Sequence, residues 1–251
     1  MKLQSIFRFV IWEAKKLITA IGGQVDSFWK PKPITSVAPF LKNANNTDFN
    51  FIQIGANDGL NGDLLREYII NFKWHGILVE PVPYVYKRLI ENYKEFSNLS
   101  FENVAIGTED GYCNFYSIME NISNEGPGDK NYKLDQLGSF NKETLLKHSY
   151  MHPNFETMVK EISVPTLTID SLFRKYNLKK LNLLQIDTEG YDFEILNSIS
   201  FKFIIPEMII FEHIHMQRSE YKYILTKMRR FGYRFYTYQF DTIGILNGND
   251  I

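Results

Sequence analysis

From residue 48 onward the chain alternates short apolar runs with stretches in which apolar residues recur every three or four positions. The short runs at residues 51–54, 76–79, 99–105, 181–186 and 208–213 are bounded by glycine, proline or polar residues, and they read as buried strands. The stretches at 63–72, 84–93, 171–176, 191–197 and 219–231 read as helices. Strands and helices in alternation predict a parallel sheet covered by helices on both faces. Two last runs, 233–239 and 242–246, are joined only through Phe240 and Asp241, too tightly for a crossover helix, so this pair is antiparallel. The predicted fold is α/β: a doubly wound, mostly parallel, seven-stranded sheet closed by an antiparallel hairpin.

The middle of the chain is less regular. After Gly107 a short strand at about 113–118 leads into a polar segment, 120–135, without apolar period, which reads as a loop. Residues 143–147 look helical, the stretch to 161 carries His148, Tyr150, His152 and Phe155, and a strand follows at 164–169. Long irregular insertions in a compact domain tend to be functional or disordered, and residues 119–161 occupy the place of a lid inserted into the sheet.

Residues 1–47 are set apart by Pro31, Pro33 and Pro39 and by a polar run at 43–48, which mark a linker ahead of a catalytic domain spanning 48–251. Upstream, Ile6, Val10, Trp12, Ala14, Leu17, Ile18 and Ile21 form one apolar flank of a predicted amphipathic helix. Packing on its own domain or on a second subunit is the ordinary use of such a flank. Lys2, Arg8, Lys15 and Lys16 also suit anionic headgroups at a membrane surface. Charges at Arg8, Glu13, Lys15 and Lys16 interrupt the run before it is long enough to span a bilayer, and no secretory signal is seen. The expected location is cytoplasmic, with the inner face of the membrane as the docking alternative.

Composition narrows the field further. A hydrophobic content of 44% over 251 residues supports one α/β domain with a sizeable core. A formal charge of -1 and a pI near 6.5 give no electrostatic basis for nucleic-acid binding, so no nucleic-acid partner is expected. The single cysteine, Cys113, rules out an intramolecular disulfide and a cysteine-based structural zinc site.

The candidate chemistry gathers where strands end. The run FIQIGANDGLNG, residues 51–62, passes from a strand into a glycine turn and then a helix, which lets backbone approach a ligand closely. Glu80 ends the next strand, 25 residues after Gly55, where an acidic residue grips ribose hydroxyls in doubly wound folds. A dinucleotide fingerprint needs glycine where this chain has Asn57, and Asp58 repels a diphosphate, which disfavours a nicotinamide-dependent oxidoreductase. S-adenosylmethionine carries an ammonium and a sulfonium and no phosphate, so the acidic loop favours it.

Asp187 follows another strand at the sheet rim, placed to bind the cofactor amino group, hold a metal or orient the acceptor; Glu189 has helix capping as its ordinary role. Glu212, His213 and His215 end the following strand, and His213 and His215 share a face if extension persists. Methyl transfer to a hydroxyl needs alignment and removal of a proton, which an imidazole at the rim suits. A divalent metal on His213, His215 and a carboxylate such as Asp187 is conceivable but not predicted, because two histidines two apart lack a demonstrated third ligand.

Taken in order, FIQIGANDG, VEPVP, ENVAIG, VPTLTIDSL, LLQIDTEGYDFEIL and MIIFEH resemble the FkbM-type S-adenosylmethionine-dependent methyltransferases, over roughly residues 50–246. IDTEGYDFEIL is the most distinctive element; the glycine loop alone is shared with many cofactor-binding proteins. The resemblance implies a Rossmann-like class I methyltransferase fold. It also implies that Gly55, Asn57, Asp58 and Gly59 surround the methionine part, Glu80 the ribose, and Glu102, Asn103 and Ala105 the adenine. LGSFNKETLLKH and FEHIHM look like portions found in a subset of these proteins, which adds His148 to the base candidates Asp187, His213 and His215. Such proteins are mostly O-methyltransferases acting on sugar hydroxyls of glycans, glycolipids or secondary metabolites, some beside polysaccharide biosynthesis. The alternative reading is a cofactor-binding scaffold without turnover in a glycan-assembly complex.

Overall fold

Strands whose residues are buried on both faces must lie inside a sheet with layers above and below. A computed structural model describes residues 31–42, 48–60, 62–120, 134, 137–202 and 204–247. Its strands are β1 (Lys32–Pro33), β2 (Asn50–Ile54), β3 (His75–Val79), β4 (Leu99–Glu102), β5 (Ala105–Ile106), β6 (Gly111–Ile118), β7 (Gly138–Ser139), β8 (Val159–Leu167), β9 (Leu183–Ile186), β10 (Met208–Glu212), β11 (Tyr233–Tyr238) and β12 (Asp241–Leu246). The helices are α1 (Ala38–Lys42), α2 (Arg66–Phe72), α3 (Pro83–Asn92), α4 (Lys142–Leu146), α5 (Phe155–Met158), α6 (Ile169–Lys175), α7 (Asp192–Ser198) and α8 (Arg218–Arg229).

The main sheet has eight strands in the order β1-β11-β12-β10-β9-β2-β3-β4. Only β12 runs against its neighbours; β10, β9, β2, β3 and β4 are mutually parallel, as are β1 and β11. Side chains alternate between two cores. Ile52, Ile54, Ile77, Val79, Leu184, Ile186, Ile209 and Phe211 pack against α6, α7 and α8. On the other face Phe51, Leu78, Leu183 and Ile210 meet Leu41, Ile69, Trp74 and Leu89, carried by α1 to α3 and the strand approach. Helix starts follow local chemistry: Pro83 opens α3, Thr168 accepts a bond from Ser171 N at 3.1 Å ahead of α6, and Gln217 and Glu220 form a capping box on α8.

The structure corrects the expected architecture in three places. The seven-stranded sheet is eight-stranded, because Lys32 and Pro33, read as linker, add a short edge strand beside β11. A separate four-stranded sheet, β5-β8-β6-β7, was not foreseen. It forms because the run at 99–105 breaks at Asn103 and Val104, so that β4 stays in the main sheet and β5 pairs with β8, itself antiparallel to β6 from Gly111 to Ile118. The third correction is at β10, which stops at Glu212; a turn follows, so His213 and His215 do not share a strand face. The expected N-terminal helix and the polar run at 43–47 lie outside the described residues, as does most of the loop at 120–135. Among the described residues no helix is long and apolar enough to cross a membrane.

The tightest point of the main sheet is the end of β2. Gly55 has φ +78°, and a β-carbon there would lie 1.8 Å from the Asp187 carbonyl oxygen. Gly62 has φ +71° but open space around it. Gly55→Ala is expected to lower stability by roughly 3 kcal/mol or more, since backbone on both sides must move, and Gly62→Ala by only about 1 kcal/mol. Urea denaturation midpoints measure both, and equal losses would contradict the steric account.

Candidate active site

The parallel strands β2, β3 and β9 end side by side, and a cleft of about 820 Å³, open mouth included, lies beyond their carboxyl ends. Its floor is the glycine turn. Gly55 N and Ala56 N both donate to Val79 O at 3.0 Å, pinning the turn to β3. Asn57 takes φ +53°, and its N–H donates to Glu80 Oε2 at 3.0 Å. Val82 N donates to Glu80 Oε1 at 2.8 Å. Glu80 is 5% exposed, and burial pushes its carboxyl up to about 7 against those two N–H bonds and the charge of Arg88.

Two glutamines stand side by side on the floor. Gln53 and Gln185 are register partners on β2 and β9, both buried, and both line the cleft. Gln53 Nε2 donates to Asp63 Oδ1 at 2.9 Å, while Gln53 Oε1 and Gln185 Oε1 have no hydrogen-bond partner. Asp63 is held by Leu65 N at 2.8 Å and Tyr93 Oη at 3.1 Å, and burial raises its pKa. The apolar wall comes from Val104, Ala105, Ile106, Phe115 and Phe140. Two bare amide oxygens in one cleft call for a hydrogen-bond donor between them.

Carboxylates and imidazoles crowd the rim. Asp187 N donates to Ile54 O at 3.0 Å, which fixes the residue at the head of β9. Asp187 lines the cleft and solvent reaches it, although it lies deep among other atoms. That depth, then the charges of Glu189 and Asp192, pushes its carboxyl well above the ordinary value. Glu189 takes φ +50° and Gly190 φ +101°, so the chain turns sharply between β9 and α7. Asp192 closes that turn by accepting from Thr188 Oγ1 at 2.7 Å and from Glu212 N at 3.2 Å. Burial raises Glu189, but the facing imidazoles of His148 and His215 outweigh it and hold this carboxyl low, at about 2. Burial, then Asp187 and Glu189, pushes Glu212 up.

The second sheet delivers His148 to this rim. Ser139 Oγ on β7 donates to Glu189 O at 3.0 Å, and Phe140 stacks on Tyr191 with centroids 4.1 Å apart. Helix α4 follows, capped by Asn141 Oδ1, which accepts from Glu143 N at 2.8 Å. His148, just beyond α4, then faces Glu189 with Nε2 3.5 Å from Oε2. His215 Nε2 lies 3.5 Å from the same oxygen and 3.5 Å from Glu212 Oε2.

Several expected positions fall elsewhere. Gly55, Asn57, Glu80, Ala105 and Asp187 line the cleft, and His148 and His215 meet at Glu189. Asp58 does not line it; the residue is fully buried and its Oδ1 accepts from Leu60 N at 3.0 Å, shaping the turn from inside. Gly59 packs against Tyr93 and Leu89, away from the cleft. Glu102 is turned to Tyr176 and Lys175, each at 2.6 Å, and Asn103 Nδ2 ties down Glu80 O at 2.8 Å. His213 Nδ1 pairs with Thr242 Oγ1 at 3.1 Å and the ring stacks on Tyr221, which separates it from His215. The grouping His213, His215 and Asp187 does not form; among the described residues the cluster with metal-ligand spacing is His148, Glu189 and His215. Gln53, Asp63 and Gln185 were missed, although an amide inside each buried run, FIQI and LLQI, was a visible signal.

The family model described as "Methyltransferase FkbM domain" matches residues 53–235. No curated protein matches the chain. Among solved structures, the methyltransferase FkbM from Methylobacillus flagellatus KT is similar at 12% identity and a TM-score of 0.44, over 79% of this chain and 44% of that one. This chain therefore spans less than half the length of that protein. A Methanococcus jannaschii fibrillarin, a pre-rRNA processing protein, is similar at 11% identity and a TM-score of 0.40, over 82% of this chain and 69% of that one. A fibrillarin/Nop5p complex is similar at 12% identity and a TM-score of 0.38, over 79% and 72%. With its glycine turn, Glu80 and the IDTEGYDFEIL run all inside the matched span, the chain belongs to the FkbM methyltransferase domain family.

Proposed function

We propose that the protein transfers a methyl group from S-adenosylmethionine to a hydroxyl, on a sugar of a glycan, glycolipid or secondary metabolite. The observation that carries the cofactor assignment is the pair of partnerless amide oxygens, Gln53 Oε1 and Gln185 Oε1, beside Asp63 in an acidic cleft. An ammonium offers donors for them, and the surrounding carboxylates favour its charge. A diphosphate would meet the same carboxylates as repulsion. Glu80 spends one lone pair of each oxygen on Asn57 N and Val82 N and keeps others for the two hydroxyls of a ribose. Val104, Ala105, Ile106 and Phe115 offer apolar wall for a purine.

The bound cofactor supplies a methyl group made electrophilic by its positive sulfur. The chain aligns that group and prepares the acceptor. Asp187, at the boundary between floor and rim, accepts a hydrogen bond from an incoming hydroxyl, and the Glu189 cluster with His148 and His215 lies beside it to help remove the proton.

Incubation with labelled S-adenosylmethionine and glycan or glycolipid extracts tests the reaction, with a labelled product expected. Absence of cofactor binding by calorimetry, in folded protein, would remove the reading. Protonation of Glu80 turns one acceptor oxygen into a donor and removes the charge that strengthens bonds from ribose hydroxyls, so affinity is expected to be greatest above about 7 and to fall as the pH drops below it. Glu80→Gln is expected to weaken cofactor binding by roughly 10- to 100-fold and to flatten that pH dependence. His215→Ala is expected to leave cofactor affinity intact and to lower kcat by about 100-fold or more; an unchanged kcat would take His215 out of the reaction.

A further inference from the structure

We infer that His148, Glu189 and His215 form a binding site for a divalent transition-metal ion of zinc's coordination class. The spacing is looser than that of close hydrogen-bonded pairs and matches ligands around an ion. His148 Nε2 and His215 Nε2 each stand 3.5 Å from Glu189 Oε2, whereas a charge-assisted hydrogen bond closes to about 2.8 Å. Ligand atoms about 2.1 Å from a tetrahedral ion lie about 3.4 Å from one another. One ligand atom from each of the three residues lies within 4.8 Å of the others, a spacing that small side-chain adjustments would close around a single ion.

His148 also has the chemistry of a ligand in want of a centre. Both ring nitrogens of His148 are buried and neither has a hydrogen-bond partner. Glu212 Oε2, likewise without one, stands 3.5 Å from His215 Nε2 and sets a second carboxylate beside the ion. Two imidazoles and a carboxylate suit zinc, cobalt or iron; magnesium and calcium prefer oxygen alone. Three protein ligands leave a coordination position open, as in catalytic zinc sites.

The trio is assembled from separate parts of the fold and held stiffly. Glu189 sits in a left-handed turn with its carbonyl bound by Ser139 Oγ, His148 arrives on the segment inserted between β6 and β8, and His215 follows the turn after β10. Glu189 also lines the cleft, so an ion held by the trio would lie at the cleft's edge. An ion there would act as a Lewis acid on a hydroxyl and ease loss of its proton. That role rests on the methyl-transfer reading above; the presence of the ion does not.

The test uses tag-free full-length protein stripped with a chelator and titrated with Co²⁺, whose visible spectrum reports nitrogen and oxygen coordination, followed by Zn²⁺. The expected result is about one Co²⁺ per chain, displaced by Zn²⁺ and not by millimolar Mg²⁺. His148→Ala, His215→Ala and Glu189→Gln should each weaken Co²⁺ binding by roughly 100-fold or more. His75→Ala, on an exposed surface histidine, should not change it. Circular dichroism and cofactor calorimetry on the same variants verify that the fold and cleft survive. Failure of wild-type protein to give the Co²⁺ spectrum, or equal binding by the His148→Ala/His215→Ala double variant, overturns the proposal. Cofactor binding without metal removes only the metal site; metal binding without cofactor removes the methyl-transfer reading and leaves the site standing.

Discussion

The close passage of the Gly55 backbone over the Asp187 carbonyl is the constraint on which the rest of the site depends. No β-carbon fits there, and the φ of +78° favours glycine. Because β2 and β9 can end so close together, Gly55 and Ala56 reach Val79 on the neighbouring strand, and three strand ends form one floor. Asn57 is then aimed at Glu80, and Gln53 is brought beside Gln185. A single backbone contact thus links the turn, Glu80 and the amide pair.

That floor concentrates negative charge. Asp63, Glu80, Asp187 and Glu189 all line one cleft, and Glu212 stands just beyond its rim. In a medium less polar than water such crowding is unfavourable unless each charge is bonded, protonated or matched by a cation. Each of these answers is present. Glu80 takes two backbone N–H bonds and still has its pKa pushed up to about 7. Asp63 is bonded on both oxygens, and Glu189 is faced by two imidazoles. The acidic character of the cleft comes from this arrangement rather than from any single residue.

The four-stranded sheet explains how a distant histidine joins the site. Strands β6 and β8 form a long antiparallel pair with the inserted segment between them, and β7 adds to the β6 edge. Ser139 and Phe140 then fasten that edge to Glu189 and Tyr191. Helix α4 is positioned by its Asn141 cap, and His148 lies just beyond its end. Phe115 on β6 and Phe140 just after β7 also line the cleft, so the second sheet contributes to both its wall and its rim.

The order of buried strands and helices was legible from residues 48 to 246, because apolar runs and three- to four-residue spacing record which faces are buried. The turn after β2, Glu80 and the acids after β9 were legible too, since glycine and carboxylates at strand ends carry local meaning. What the pattern could not hold was direction and distance. Asp58 and Glu102 looked like ligand contacts, yet their side chains turn into the fold, where Leu60 N, Tyr176 and Lys175 compete for them. The break at Asn103 and Val104 hinges on pairing with β8, more than 50 residues later. His148 meets His215 across a sequence gap of 67 residues, while His213, two positions from His215, faces Thr242 instead. Sequence alone determined which groups stand at the ends of strands, because local periodicity sets that; the tertiary structure decided which of them share a cavity, because strand pairing and turn geometry act between residues far apart in the chain.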